Sequence, residues 1–255
     1  MAEASTRKTF GVALLLAFVC AGLVSLTAVG LAERIRANKS RELMRGVLEA
    51  VGLDDPEAVA FEIVELATGR FVAAGELGPG GFDPRTAASD PTRSDPIAPG
   101  DDVAGLGRRE RFAMVGLVRR NGQIEQLILP VRGRGYGGTI RGFVVLDGRD
   151  LASVRGVGFT EHAETPGLGA EIVSEDFRAG WVGKRVYDEA GLVALQVVQG
   201  GGARDAYAVD GISGASITGD ALTRMITFWF GEQGYAPLFA QLRAARGERQ
   251  GGSDG

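Results

Sequence analysis

The most pronounced hydrophobic pattern lies near the start of the chain, where residues 10–32 contain no charged side chain. A helix of that length extends about 35 Å at about 1.5 Å per residue, enough to cross a hydrocarbon layer of about 30 Å. A secretory signal peptide is the alternative, but the apolar run exceeds the usual core of about 7–15 residues. We therefore predict a transmembrane anchor over 10–32, preceded by a tail over 1–9 and followed by a soluble domain over 33–255.

Beyond residue 33, shorter apolar segments alternate with turn residues. Apolar positions with i, i+3, i+4, i+7 spacing predict an amphipathic helix over 34–52. Residues 61–75 predict two short strands around a turn, and residues 112–131 predict a hairpin turned at Asn121-Gly122. A helix is expected from about Asp220 to Gly231.

Further strands are predicted in "IRGFVVLDG" and "VALQVVQG". Strands joined by tight turns favour antiparallel pairing, so the expected class is α+β with a mainly antiparallel sheet and flanking helices. From Leu77 to Arg109 the chain is rich in Pro, Gly, Asp and Ser without sustained periodicity. That stretch is either disordered or an ordered functional excursion.

The charge balance narrows the classes of partner and chemistry. The chain has 28 basic and 32 acidic residues, a net charge of −4, and no basic stripe, which argues against nucleic acid as a partner. His162 and Cys20 are the only histidine and cysteine. A Cys/His metal cluster and an intrachain disulfide are therefore excluded, and any redox chemistry needs an organic cofactor or a partner protein.

The charges that flank the apolar run do not settle its orientation. Arg7 and Lys8 precede it, and five basic residues follow it between residues 34 and 45. A literal count of positive charges would keep the C-terminal part in the cytoplasm, but large domains can be translocated regardless of flanking charge.

Two glycine-containing loops are candidate sites. "GRGYGG", residues 133–138, satisfies the spacing of a dinucleotide fingerprint, but it lies between two predicted strands instead of before a helix. Loop glycines are the better interpretation. In "HAETPGLGAE", residues 162–171, Glu164 and Thr165 stand beside a turn whose backbone allows close approach of a flat ligand. An ordinary polar loop is the alternative.

The third candidate is "DGISGASITGD", Asp210–Asp220, which places small hydroxylated residues just before a predicted helix. Unpaired N–H groups and the helix dipole favour an anion such as a phosphate at that position. The alternative is that Thr218 or Asp220 caps the helix. These residues alone do not decide between the two.

Taken together, these segments resemble a known family. "VDGISGASITGDAL" is similar to the flavin-attachment motif D-x-x-S-G-A-[TS] of the NqrC subunit of the Na⁺-translocating NADH:quinone oxidoreductase, and of the RnfG subunit of the related Rnf complex. The resemblance extends over nearly the whole chain and includes "FDPRTAASDP", "LPVRGRG", "EHAETPGLGAEI" and "FWFGEQGYAPLFAQLR". The last of these fits the NqrC family better than its Rnf counterpart.

The resemblance implies that a flavin transferase joins FMN through a phosphodiester to the hydroxyl that closes the motif. The acceptor, usually threonine, is Ser216 here, and Thr218 remains an alternative acceptor. Asp210 would belong to the motif that the transferase recognises, and residues 130–235 would form the FMN-binding part. Lys184 would place a positive charge near the reduced flavin. The implied cofactor-binding residues are Ser213, Gly214, Ala215, Ser216, Thr218, His162, Glu164, Thr165, Gly167, Leu168, Gly169 and Lys184.

The function implied by the resemblance is electron transfer in a Na⁺-pumping NADH:quinone reductase of the bacterial inner membrane. Electrons would pass from an iron centre held by other subunits to the FMN, then to a second flavin and to quinone. The family places the soluble domain on the periplasmic side. The alternatives are a flavoprotein of the Rnf type, and an envelope binding or structural domain without redox function.

Overall fold

The computed structural model describes residues 10–22, 25, 46, 48–49, 52, 55–73, 84–200 and 205–251, which fall into two units divided between Arg45 and Gly46. In the first unit, residues 10–22 form helix α1. No helix within the described ranges is long and apolar enough to span a membrane. The rest of the predicted anchor, apart from residue 25, and most of the predicted 34–52 helix lie outside the described residues; residues 46, 48 and 49 are helical.

A six-stranded antiparallel sheet forms the centre of the second unit. Its strands are β1 (Val59–Glu65), β2 (Phe71–Val72), β5 (Phe112–Arg120), β6 (Gln123–Arg134), β7 (Thr139–Asp147) and β8 (Val154–Glu161). They lie in the order β2-β1-β5-β6-β7-β8. The mainly antiparallel fold is therefore confirmed.

The hairpin between β5 and β6 confirms the predicted turn. Asn121 and Gly122 have φ angles of 53° and 74°, the left-handed conformation that a two-residue hairpin turn requires. The stretch from Leu77 to Arg109 was predicted to be either disordered or an ordered functional segment. Its residues 84–109 are ordered, and residues 77–83 lie outside the described residues. It contains α2 (Pro84–Ala87), β3 (Ser94–Pro96) and the start of β4 (Arg108–Glu110), and β3 pairs with β4.

The two faces of the sheet carry separate apolar clusters. Alternate residues Leu127, Leu129 and Val131 of β6 join the larger core, whereas Ile128 joins a smaller cluster on the other face. This alternation follows from the period of two along a strand. The C-terminal helical residues from Leu222 to Leu242 join the larger cluster, so this face positions the candidate site, whereas Leu48 packs against the smaller cluster.

The predicted C-terminal helix begins four residues earlier than expected. Helix α4 runs Ser216–Phe230, and a further helix, α5 (Ala236–Gly251), which was not predicted, follows it. The indole N–H of Trp229 donates a hydrogen bond to the Arg132 carbonyl at 2.7 Å, and the Tyr235 hydroxyl donates to the Pro130 carbonyl at 2.6 Å. These bonds hold the C-terminal end of α4 on β6.

The remaining elements complete the covering of the sheet. The "VALQVVQG" segment contributes only β9 (Gln196–Val198), which pairs in parallel with β10 (Ala208–Asp210) instead of joining the main sheet. The short helix α3 (Glu175–Ala179) follows β8, and 3-10 helices occur at Pro56–Ala58 and Gly169–Val173.

Candidate functional site

The first turn of α4 contains the hydroxyl side chains of the third candidate segment. Ser216 is the first helical residue and is exposed, as are Ser213 and Gly214 before it. Ala215 precedes the helix and supplies no side-chain cap. The first N–H groups of an α-helix have no intrahelical acceptor, so this end of the 15-residue α4 offers donors and a positive dipole end beside an exposed hydroxyl.

The two candidate hydroxyls of α4 lie in different environments. Residues two apart on an α-helix are separated by about 200° around the axis. Thr218 accordingly faces inward, with 3% of its surface exposed, and its Oγ1 donates a hydrogen bond to Glu164 Oε2 at 2.5 Å. Neither Thr218 nor Asp220 caps the helix, because the capping position is Ala215. The capping interpretation of the segment is therefore wrong.

Glu164 connects all three candidate segments. Glu164 lies in the loop after β8 and is 5% exposed. Oε2 accepts the bond from Thr218 of α4, and Oε1 accepts a bond at 2.9 Å from the backbone N–H of Gly137 in the loop between β6 and β7. Both carboxylate oxygens are thus engaged within the protein. The sequence suggested that Glu164 binds ligand heteroatoms, and gave no sign of these two internal bonds.

Three glycines leave room for this carboxylate and its neighbours. A Cβ atom on Gly135 would collide with Glu164 Oε1, and one on Gly169 would lie 2.5 Å from Thr218 Oγ1. A Cβ on Gly137 would overlap the Ala163 carbonyl oxygen. Of the "GRGYGG" glycines, Gly135, Gly137 and Gly138 are loop residues between β6 and β7, as predicted, whereas Gly133 lies in β6. The packing of Gly135 and Gly137 against the 162–171 loop was missed because it is non-local.

The turn after Glu164 approaches the segment before α4. The carbonyl of Thr165 accepts hydrogen bonds from the N–H groups of Leu168 and Ala170, at 3.1 and 3.0 Å, and Gly167 has a φ of 72°. Leu168 is 41% exposed, and its Cδ2 would lie 3.1 Å from a Cβ on Gly214. An exposed apolar side chain therefore lies beside Gly214, which is exposed like Ser213 and Ser216.

Two predicted site residues lie at the edges of this arrangement. His162 directly follows β8 and is half-buried; its Nδ1 accepts a bond at 3.4 Å from the Glu164 N–H. Asp210 ends β10 and is exposed.

Lys184 lies elsewhere. Its carbonyl accepts from the N–H of Val154, the first residue of β8, and its Nζ donates to the Asp205 carbonyl at 2.9 Å. Val154 and Glu161 are about 23 Å apart along the strand, at about 3.3 Å per residue. The structure therefore does not bring Lys184 together with the loop that follows β8.

The opposite end of α4 is enclosed by aromatic side chains. The Tyr187 hydroxyl donates to the Phe230 carbonyl at 2.8 Å, and the rings of Phe230 and Phe239 stack with centroids 6.2 Å apart. Burial raises the pKa of the Tyr187 hydroxyl well above its ordinary value, and burial has the same effect on the pKa of Tyr235.

Comparison with known proteins agrees with this geometry. A family model described as an FMN-binding domain matches residues 135–231, which include all three candidate segments from Gly135 onward. Among curated proteins, the NqrC subunit of the Na⁺-translocating NADH-quinone reductase of Pseudomonas aeruginosa is 37% identical, covering 94% of this chain and 97% of that protein. The corresponding protein of Yersinia pestis is 35% identical, covering 94% of each.

Among solved structures, the crystal structure of NqrC from Shewanella oneidensis matches with a TM-score of 0.74 and 32% identity, covering 82% of this chain and 99% of that one. The structural match, the FMN-binding family model and the similarity over nearly the whole chain thus point to the same family. The chain belongs to the NqrC family of the Na⁺-translocating NADH-quinone reductases and contains an FMN-binding domain.

Proposed function

We propose that this chain carries FMN, joined through a phosphodiester to Ser216, and relays electrons within a Na⁺-translocating NADH-quinone reductase. The observation that carries the proposal is the exposed Ser216 hydroxyl at the N-terminus of α4, which has no side-chain cap, inside the region matched by the FMN-binding domain. A transferase needs access to the acceptor hydroxyl. Thr218, the alternative acceptor, is buried and bonded to Glu164.

The surroundings of Ser216 fit the phosphate of FMN. The backbone N–H groups at the start of α4 and the dipole of this helix stabilise an anion at that position. Ala215 has no side-chain oxygen that would compete for these donors. Ser213 and Gly214, both exposed, add a hydroxyl and an unobstructed backbone next to the attachment point.

The neighbouring turn fits the flavin ring system, which supplies one- and two-electron chemistry when bound. Leu168 presents an apolar surface beside Gly214, and Gly167 has no neighbour within 4 Å of a Cβ position. His162 and Thr165 supply polar groups at the rim, and Gly169 lets the turn pack close to Thr218. Lys184 is not included in the proposed site because it lies at the far end of β8.

The membrane setting is part of the proposal. Residues 10–32 anchor the chain in the bacterial inner membrane, next to the other membrane subunits, and residues 33–255 lie on the periplasmic side. Electrons reach the FMN from an iron centre of a neighbouring subunit and leave to a second flavin and to quinone. A reporter fused after Gly255 tests the orientation, since activity of a cytoplasm-only reporter would contradict it.

Peptide mass spectrometry tests the attachment. The full chain is co-expressed with a flavin transferase and digested with trypsin, which releases the peptide from Asp205 to Arg224. We expect one added FMN group on Ser216. Ser216→Ala should abolish the addition, whereas Ser213→Ala should leave it on Ser216. In Thr218→Ala the FMN that is added, even at a lower rate, should also be on Ser216. A colourless protein, or an FMN group on Thr218, would contradict the proposal.

A further inference from the structure

The contacts of Glu164 assign it a role that differs from ligand binding. Its carboxylate is buried and accepts hydrogen bonds from two neutral donors, the Thr218 hydroxyl and the Gly137 N–H. At donor–acceptor distances of 2.5 and 2.9 Å, these two contacts fix both oxygens of the side chain within the protein.

The bond to Thr218 fixes the rotation of the first turn of α4. Because Ser216 and Thr218 are about 200° apart around the helix, holding Thr218 inward turns Ser216 outward. Ala215 supplies no side-chain cap, and the bond from Thr218 to Glu164 ties this turn to a residue outside the helix. The outward direction of the Ser216 hydroxyl is therefore set by a residue 52 positions earlier in the chain.

The glycines around the carboxylate support a fixed geometry. Gly135 and Gly169 leave the space that Glu164 Oε1 and Thr218 Oγ1 occupy, and a Cβ at either position would collide with them. The bond to the Gly137 N–H then connects the first turn of α4 to the β6–β7 loop of the main sheet. The position of Ser216 is thus fixed relative to the main sheet.

We infer that Glu164 is a positioning residue for flavin attachment, acting through Thr218 to present the Ser216 hydroxyl to the transferase. The inference rests on the proposed function. In the step that it serves, Ser216 Oγ forms a bond to the FMN phosphorus of a flavin dinucleotide. The pyrophosphate bond breaks, AMP leaves, and the hydroxyl proton is released. Glu164 itself touches none of the reacting atoms.

The test compares two matched substitutions on one helix. Thr218→Val removes the bond to Glu164. Thr223→Val, the control, removes a hydroxyl of α4 that accepts from the Val197 N–H at 2.9 Å and donates to the Gly219 carbonyl at 3.1 Å. Each full-length variant is incubated with flavin transferase and flavin adenine dinucleotide, and the rate of FMN addition to Ser216 is measured by mass spectrometry per folded molecule.

We expect Thr218→Val to slow the addition about tenfold or more, because loss of orientation of a reacting group has effects of that size. Thr223→Val should stay within about twofold of the unsubstituted chain. The slowing should appear in turnover at saturating flavin dinucleotide and not in its KM, since Glu164 acts on the acceptor. Thr218→Ser retains a hydroxyl and should restore the rate.

A second measurement keeps the inference testable without flavin. In Glu164→Ala, amide hydrogen exchange should increase in the first turn of α4 and in the 135–138 loop together, and Glu164→Gln should give a smaller increase. Equal slowing by Thr218→Val and Thr223→Val, or slowing by Thr218→Ser as large as by Thr218→Val, would overturn the inference. If the unsubstituted chain itself gains no FMN at Ser216, the proposed function fails first and the inference with it.

Discussion

The two ends of α4 differ in what holds them. At the N-terminal end, the exposed Ser216 lies on a turn whose Thr218 hydroxyl donates a hydrogen bond inward to Glu164. At the C-terminal end, Trp229 and Tyr235 bond to carbonyls of β6, and aromatic rings surround them. A polar link that sets direction serves the end proposed to carry the cofactor, and extensive burial serves the end that stabilises the fold.

This difference implies that stability and flavin attachment can be changed separately. Substitutions at the aromatic end should lower the free energy of unfolding and leave attachment per folded molecule unchanged. Substitutions around Glu164 should slow attachment more than their effect on stability predicts. Four measurements examine this separation.

The largest expected effect is on stability. Trp229→Ala removes an indole that is 1% exposed together with its hydrogen bond to the Arg132 carbonyl. We expect the free energy of unfolding to fall by about 3–5 kcal/mol in urea titrations. Arg224→Ala, at an exposed position of the same helix, is the control. If Trp229→Ala slowed attachment per folded molecule as much as Thr218→Val, the two ends would not be independent.

A substitution at the N-terminal end should affect both quantities. The Cβ introduced by Gly169→Ala would lie 2.5 Å from Thr218 Oγ1, so the pair of Thr218 and Glu164 must shift. We expect a loss of about 1–3 kcal/mol in the free energy of unfolding and slower FMN addition. Gly138→Ala, where a Cβ meets only an ordinary contact at 3.4 Å, is the control for both measurements. Attachment at the unsubstituted rate in Gly169→Ala would show that this packing is not needed.

Tyr235→Phe isolates one hydrogen bond at the aromatic end. It leaves the Pro130 carbonyl without the donor that lies 2.6 Å away. We expect a loss of about 1 kcal/mol in the free energy of unfolding, with no change in attachment. Tyr136→Phe, which changes an exposed tyrosine, should leave thermal unfolding unaltered. A larger effect from Tyr136 than from Tyr235 would contradict the assignment.

The smallest expected effect concerns alkaline pH. Burial raises the pKa of Tyr187 in the folded chain, whereas in the unfolded chain the hydroxyl ionises near pH 10. Above about pH 10 the unfolded chain therefore releases a proton that the folded chain keeps. The free energy of unfolding is unaffected by the ionisation of this group below about pH 10 and falls above it, by less than about 1 kcal/mol at pH 10.5. Unfolding titrations between pH 9 and pH 11 should show a shallower decline for Tyr187→Phe. Identical slopes would place the ionisation elsewhere.

Local signals explain which elements were predictable. The Asn121-Gly122 turn follows from residues that adopt positive φ, and the strands around it follow from their apolar alternation. The start of α4 was misplaced because Ser, Ile, Thr and Gly are weak helix formers, and packing against β6 and β9 decides instead. Helix α5 was missed although the sequence carries a signal for it, since the buried Leu238, Phe239 and Leu242 have the spacing of one helix face.

The sequence segments that form the candidate site were predictable, but the contacts between them were not. The segments at 162–171 and 210–220 carry recognisable motifs, but their contact through Glu164 joins residues 54 and 27 positions apart in sequence. No local pattern encodes such a contact. Lys184 was expected near the flavin from the family resemblance, and the topology places it at the end of β8 opposite to the 162–171 loop.

The fixed position of α4 on the sheet limits how far an attached flavin can reach. Hydrogen bonds from Trp229 to β6 and from Thr218 to Glu164 hold both ends of the helix, so it cannot rotate away from the sheet about one end. An FMN group on Ser216 can then explore only the sphere allowed by the single bonds of the serine side chain and the phosphodiester. The flavin could then exchange electrons with a donor and an acceptor that lie farther apart than this radius only if the whole unit Gly46–Gly255 moved between them.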